Sequence, residues 1–112
     1  MIIEDVTIDQ AFVIKDIPQL DPIMVIIRDH QKGNGEIIIR CYGKSWTYFW
    51  GAMGERRTAD FFASCSTGYL VGKLGSDTKK ADLGYLIHIV EAVKAAINFR
   101  VLEGNCHEHK IT

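Results

Sequence analysis

Two runs rich in β-branched residues, Ile23 to His30 and Glu36 to Tyr42, flank the stretch Lys32-Gly33-Asn34-Gly35. Asn-Gly between such runs is the strongest short-range hairpin signal a sequence offers. In the second run Ile37, Ile39 and Cys41 alternate with Glu36, Ile38, Arg40 and Tyr42, so the odd positions are expected to face the core. In the first, Val25 and Ile27 share one face while Arg28 and His30 share the other. Matching core to core pairs odd positions with odd ones, which requires an odd-length loop such as a type I turn with Gly35 left-handed in a G1 bulge. A two-residue Asn34-Gly35 loop would set Arg28 opposite Cys41 and is disfavoured.

The rest of the chain is built outward from this hairpin. Val6 to Ile8 and Phe12 to Ile14 read as short strands ahead of it, with Pro18 and Pro22 breaking the chain before the main sheet. Gly43-Lys44-Ser45 reads as the next turn. It leads into a strand from Trp46 to Trp50, on which Trp46, Tyr48 and Trp50 share one face and Thr47 and Phe49 the other. Thr58, Phe61, Phe62, Cys65 and Tyr69 then recur at three- and four-residue steps, a helical stripe that Thr67-Gly68 should break. Tyr69 to Leu74 forms a second short helix closed by Gly75. The last helix is expected from about Lys79 to Arg100, N-capped by Ser76 or Asp77, with Leu83, Leu86, Val90, Val93 and Ile97 as its apolar stripe. The order predicts an α+β fold: an antiparallel β-meander of three to five strands, two short helices, and one long C-terminal amphipathic helix packed on the sheet. Residues 1–104 are expected to form a single domain, followed by a tail over 105–112.

Composition narrows the function without naming it. A chain of 112 residues supports one core, and 47% hydrophobic with 24% charged residues is ordinary for a globular domain. The net charge of -1 gives no global basic field to attract nucleic acid or anionic membrane. No apolar run approaches the ~20 residues that span a bilayer, and MIIEDVTIDQ carries acids where a signal peptide carries basic residues, so a cytoplasmic protein is expected. Cys41, Cys65 and Cys106 are odd in number and widely spaced, which points to reduced thiols.

Candidate chemistry is sparse. Gly43-Lys44-Ser45 lacks the glycine that a P-loop needs five residues earlier, where Ile38 stands. Gly51 to Arg57 could hold an anion, with free N–H groups entering a helix and Arg56 and Arg57 in its first turn, although Glu55 and Asp60 could supply the negative charge instead. Trp46, Tyr48 and Trp50, with Arg40 and Lys44 nearby, could stack unpaired bases or hold a protein partner, because Trp, Tyr and Arg dominate interface hot spots. The competing expectation is that helices cover this row and make it core. Tyr85, His88, Ala92 and Ala95 lie opposite the stripe of the last helix, and they are small or uncharged enough for a second copy of the chain to cover. Cys106, His107 and His109 crowd the tail without a second ligand pair, so no metal is expected there. His30 and His88 have no nucleophile or carboxylate at a telling spacing, and neither catalysis nor a cofactor is expected.

Ser45-Trp46-Thr47-Tyr48-Phe49-Trp50-Gly51-Ala52-Met53-Gly54, followed by Phe61-Phe62, Cys65, Tyr69-Leu70 and Lys73-Leu74, resembles small accessory proteins of tailed phages and prophages of enteric bacteria. The pattern covers the middle third of the chain and carries over no functional residue. It implies a protein that binds and modulates a host or phage macromolecule, defence machinery included. The expected contact region is Arg40, Lys44, Trp46, Tyr48, Trp50, Arg56 and Arg57, with single-stranded nucleic acid as the alternative partner.

Overall fold

The computed structural model describes residues 1–102. Four strands form one antiparallel sheet in sequential order: β1 (Gln10–Ile14), β2 (Ile23–Gln31), β3 (Asn34–Cys41) and β4 (Lys44–Trp50). Three helices follow, α1 (Thr58–Ser64), α2 (Thr67–Leu74) and α3 (Leu83–Leu102), with a single 3-10 turn at Lys80–Asp82 ahead of the last. This is the α+β meander with two short helices and one long one that the sequence predicts. The tail with Cys106 to His109, and the boundary placed before it, lie outside the described residues.

Register is the feature that organises the fold. Ile23, Val25 and Ile27 pair with Cys41, Ile39 and Ile37, so odd meets odd, and all six are buried. The turn chemistry differs from expectation. The left-handed glycine is Gly33, at φ +84°, not Gly35, and the extra residue lies in β2, where the register shifts between Asp29 and Gln31. Gly33 is held against the next loop, its carbonyl accepting from Met53 N–H at 2.7 Å, and a Cβ there would stand 2.5 Å from the Gly54 carbonyl oxygen. Gly35 serves a different purpose: a Cβ would collide with the Thr58 hydroxyl and the Arg28 carbonyl. The β3–β4 turn also falls earlier than Gly43 to Ser45. It is the two-residue Tyr42-Gly43, both with positive φ, as a tight hairpin twisted like its strands requires.

Val6 to Ile8 form no strand. Pairing with β2 begins around Asp9, whose N–H donates to the Ile27 carbonyl. The helical break also moves, from Thr67-Gly68 to Cys65-Ser66, because the Ser66 hydroxyl accepts from Tyr69 N–H and so caps α2 at Thr67. Cys65 closes α1, and Lys94 of α3 reaches its carbonyl at 2.6 Å. The start of α3 lies at Leu83 rather than Lys79, the 3-10 turn occupying the difference.

α1 packs on β2 and β3, α2 on β4, and α3 on β1 and on both shorter helices. The core therefore joins the odd positions of β2 and β3 to Phe62, Leu70, Leu86, Ile89, Val93 and Ile97. Of the residues expected on an uncovered side of α3, Tyr85 and Ala92 pack against this core, while His88 and Ala95 are exposed. The reason is angular: α3 packs against β1 and against both short helices, so its covered arc is wider than one stripe.

Tyr85 closes one end of the core by sharing a hydrogen bond of 3.2 Å with the Cys41 thiol and donating to Asp21 at 3.3 Å. The bond with Cys41 and partial burial hold the Tyr85 hydroxyl well above its ordinary pKa of 10.0. A raised folded-state pKa means that the unfolded chain loses this proton first, so the contribution is intact below pH 10.0 and declines as pH rises beyond it. Urea denaturation as a function of pH is expected to show stability falling above that point, with a shallower fall in Tyr85→Phe.

Candidate functional site

The row Trp46, Tyr48 and Trp50 sits on the helix-covered side of β4. Trp46 and Trp50 are 7% and 6% exposed. Each indole N–H has a partner, Trp46 donating to the Thr78 hydroxyl at 3.0 Å and Trp50 to the Tyr69 hydroxyl at 3.1 Å. Trp50 also lies against the rings of Tyr48, Phe61 and Phe62. Neither indole offers a free face on which a base could stack, so the two rings act as core. Tyr48 is half-buried beside Lys73, whose ammonium lies 5.9 Å from its ring.

The basic residues of the expected contact region do not converge. Lys44 pairs with Asp82 at 3.0 Å across the end of the sheet. Arg56 donates to the Ser64 hydroxyl and lies over the Phe61 ring. Arg57 bridges Asp9 at 3.3 Å and Asp29 at 3.6 Å. Asp29 is the residue that sequence reasoning missed. Its carboxylate accepts from both the backbone N–H and the hydroxyl of Thr58 at 2.7 Å, while its own N–H donates to Asp9. The negative charge at the start of α1 is thus supplied by the bulged end of β2, and paired arginines beside a helix start were its one sequence signal.

Arg40 stands apart, on the opposite face of the sheet. Strand pairing places three rows there: Val13, Met24, Arg40 and Ser45; then Ala11, Ile26, Ile38 and Thr47; then Arg28, Glu36 and Phe49. Among the described residues no helix packs on these rows. Val13 and Phe49 are each half-exposed, and Met24, Ile26 and Ile38 are partly so. At the Phe49 end, Glu36 meets His30 at 3.2 Å and Arg28 at 3.8 Å, and the His30 ring stands edge-on to Phe49 at 5.4 Å. The result is an aliphatic strip with charge at its borders. Its signal was present in the sequence: Ile23-Met24-Val25-Ile26-Ile27 and Ile37-Ile38-Ile39 are apolar at consecutive positions, a pattern of strands buried on both faces rather than one.

Other chemistry is weakly represented. Burial raises the Cys65 thiol pKa, against the pull of Arg56 and Lys94. Among the described residues no group of three metal-ligating side chains occurs, and no helix is long and apolar enough to cross a membrane.

The Asp29 network yields a direct contrast. Asp29→Ala removes the acceptor for Thr58 and is expected to lower stability by about 1–2 kcal/mol, whereas Arg57→Ala, losing only exposed ion pairs, should cost below about 1 kcal/mol. Thermal denaturation in low-millimolar phosphate, where exclusion effects are negligible, checks the same assignment, with no rise in midpoint expected over chloride at equal ionic strength.

Comparison with known proteins gives a family match. The family model Phage_phiTE_072, described as a phage family, matches residues 1–105. No curated protein and no solved structure matches the chain.

Proposed function

The chain belongs to the Phage_phiTE_072 phage family, and on that premise we propose that it is an accessory protein that works in the cytoplasm of the bacterial host by binding and modulating a protein partner, such as a host or defence factor, through the helix-free face of its sheet. One observation carries this reading. β2 and β3 are aliphatic on both faces, but the helices cover only one. Exposed contiguous apolar surface bordered by charge marks interaction sites in monomeric domains. Val13, Met24, Ile26, Ile38 and Phe49 supply the apolar centre, and Arg28 and Arg40 stand at its rim. A partner with an apolar centre and acidic rim fits this surface.

Of the residues first expected in the contact region, Arg40 remains within it. Trp46 and Trp50 contribute by holding β4 flat against the helices, and their loss would act through stability. On the outer sheet face the aromatic residue open to a partner is Phe49, one position away and pointing the other way.

Affinity capture from host lysate, followed by identification and rebinding of the purified partner, tests the proposal. Phe49→Asp and Arg40→Glu are expected to weaken rebinding at least about tenfold, as central interface substitutions do, while leaving the fold intact. Lys73→Glu, on the helix side, should leave it unchanged. Rebinding indifferent to both outer-face substitutions would remove this face from the account.

A further inference from the structure

The residues before β1 form no strand or helix, and their aliphatic side chains face solvent: Ile2 is 86% exposed, Ile3 84% and Val6 58%. Between them stand Glu4 and Asp5, which have no ion-pair partner among the described residues. The segment is therefore an arm outside the regular structure, with aliphatic and acidic side chains that nothing among the described residues covers. The outer sheet face is aliphatic at its centre; at one border Arg28 is balanced by Glu36, and at the other Arg40 has no ion-pair partner among the described residues, which leaves that border basic.

We infer that the arm of one copy, residues 1–8, docks on the outer sheet face of a second copy, and that the two copies exchange arms reciprocally about a two-fold axis. The inference rests on the same reading of the outer face as a binding surface, and it names a second copy of the chain as an occupant. Lengths agree. Eight extended residues reach at most about 26–29 Å, and four strands at about 4.8 Å spacing span about 14 Å, so one arm can cross every strand. Size agrees as well: the arm and the face positions of each copy together approach the roughly 20 residues per side of a stable interface. In the complex Ile2, Ile3 and Val6 cover the strip around Ile26 and Ile38, and Glu4 and Asp5 meet Arg40. Reciprocal exchange about a two-fold axis is isologous and closed, and leaves no free end for open-ended assembly.

Charge exchange tests this without touching the core. Mass is measured by light scattering on the full chain at about 100 μM, above the micromolar upper range for interfaces of this size. The unsubstituted chain is expected to be a dimer. Glu4→Arg/Asp5→Arg sets basic arms against basic faces and should be monomeric, and Arg40→Glu sets acidic arms against an acidic face and should be monomeric too. Mixed one to one, the two variants match at both arms and should recover a heterodimer. Ile3→Asp/Val6→Asp, which alters no sheet residue, should abolish dimers in any mixture. A monomeric full chain, dimers that survive the arm substitutions, or mixing that restores nothing would each overturn the exchange. The failure is separable from that of the proposed function: a full chain that is monomeric by light scattering and yet loses rebinding of a captured partner in Phe49→Asp upholds the face while removing the arm.

Discussion

The odd-to-odd pairing of β2 with β3 decides what every other residue of the sheet can do. A strand has only two faces, so fixing Val25 opposite Ile39 and Ile27 opposite Ile37 fixes Ile26 opposite Ile38 on the other side. The bulge at the end of β2 and the left-handed Gly33 together make this register compatible with a tight turn. A slip of one residue would bring Arg28 under the helices and expel Ile27 if β2 flips, or do the same with Arg40 and Ile39 if β3 flips. Burying an unpaired guanidinium is costly enough that such a slip has no stable counterpart.

From the register follows the division of labour among the aromatics. β4 continues the alternation, which takes Trp46 and Trp50 into the core and turns Phe49 outward. The two indoles are satisfied by Thr78 and Tyr69, which tie the sheet to the segments around α2. Among the described residues no buried side-chain nitrogen or oxygen is left without a partner. The covered face is thus internally complete, whereas on the outer face Arg40, and on the arm Glu4 and Asp5, have no ion-pair partner among the described residues. Function is read from that imbalance.

The sequence made the scaffold legible because its signals were local. Alternation in Glu36 to Tyr42, Asn-Gly beside the Lys32-Gly33 turn and three-four spacing in the helices each depend on near neighbours, and each gave the right element. What stayed hidden depended on contacts distant in sequence. Asp29 caps α1 across 29 residues, so the charge that balances Arg57 could not be found by looking within the helix. Left-handed Gly33 is selected by the Gly54 loop, which neighbouring residues do not reveal. The outer face is the instructive case: consecutive isoleucines in β2 and β3 announced two apolar faces, but a concentration of tryptophan nearby drew attention to the face that the helices use.

Paramagnetic relaxation of isoleucine methyl groups by a soluble gadolinium chelate tests this sorting most directly. On the Glu4→Arg/Asp5→Arg chain, where no arm covers the sheet, the methyl groups of Ile26 and Ile38 should relax strongly while those of Ile37 and Ile39, one position away on β3, remain unaffected. Uniform relaxation across the four, or the reverse pattern, would contradict the register and with it the assignment of the outer face to binding.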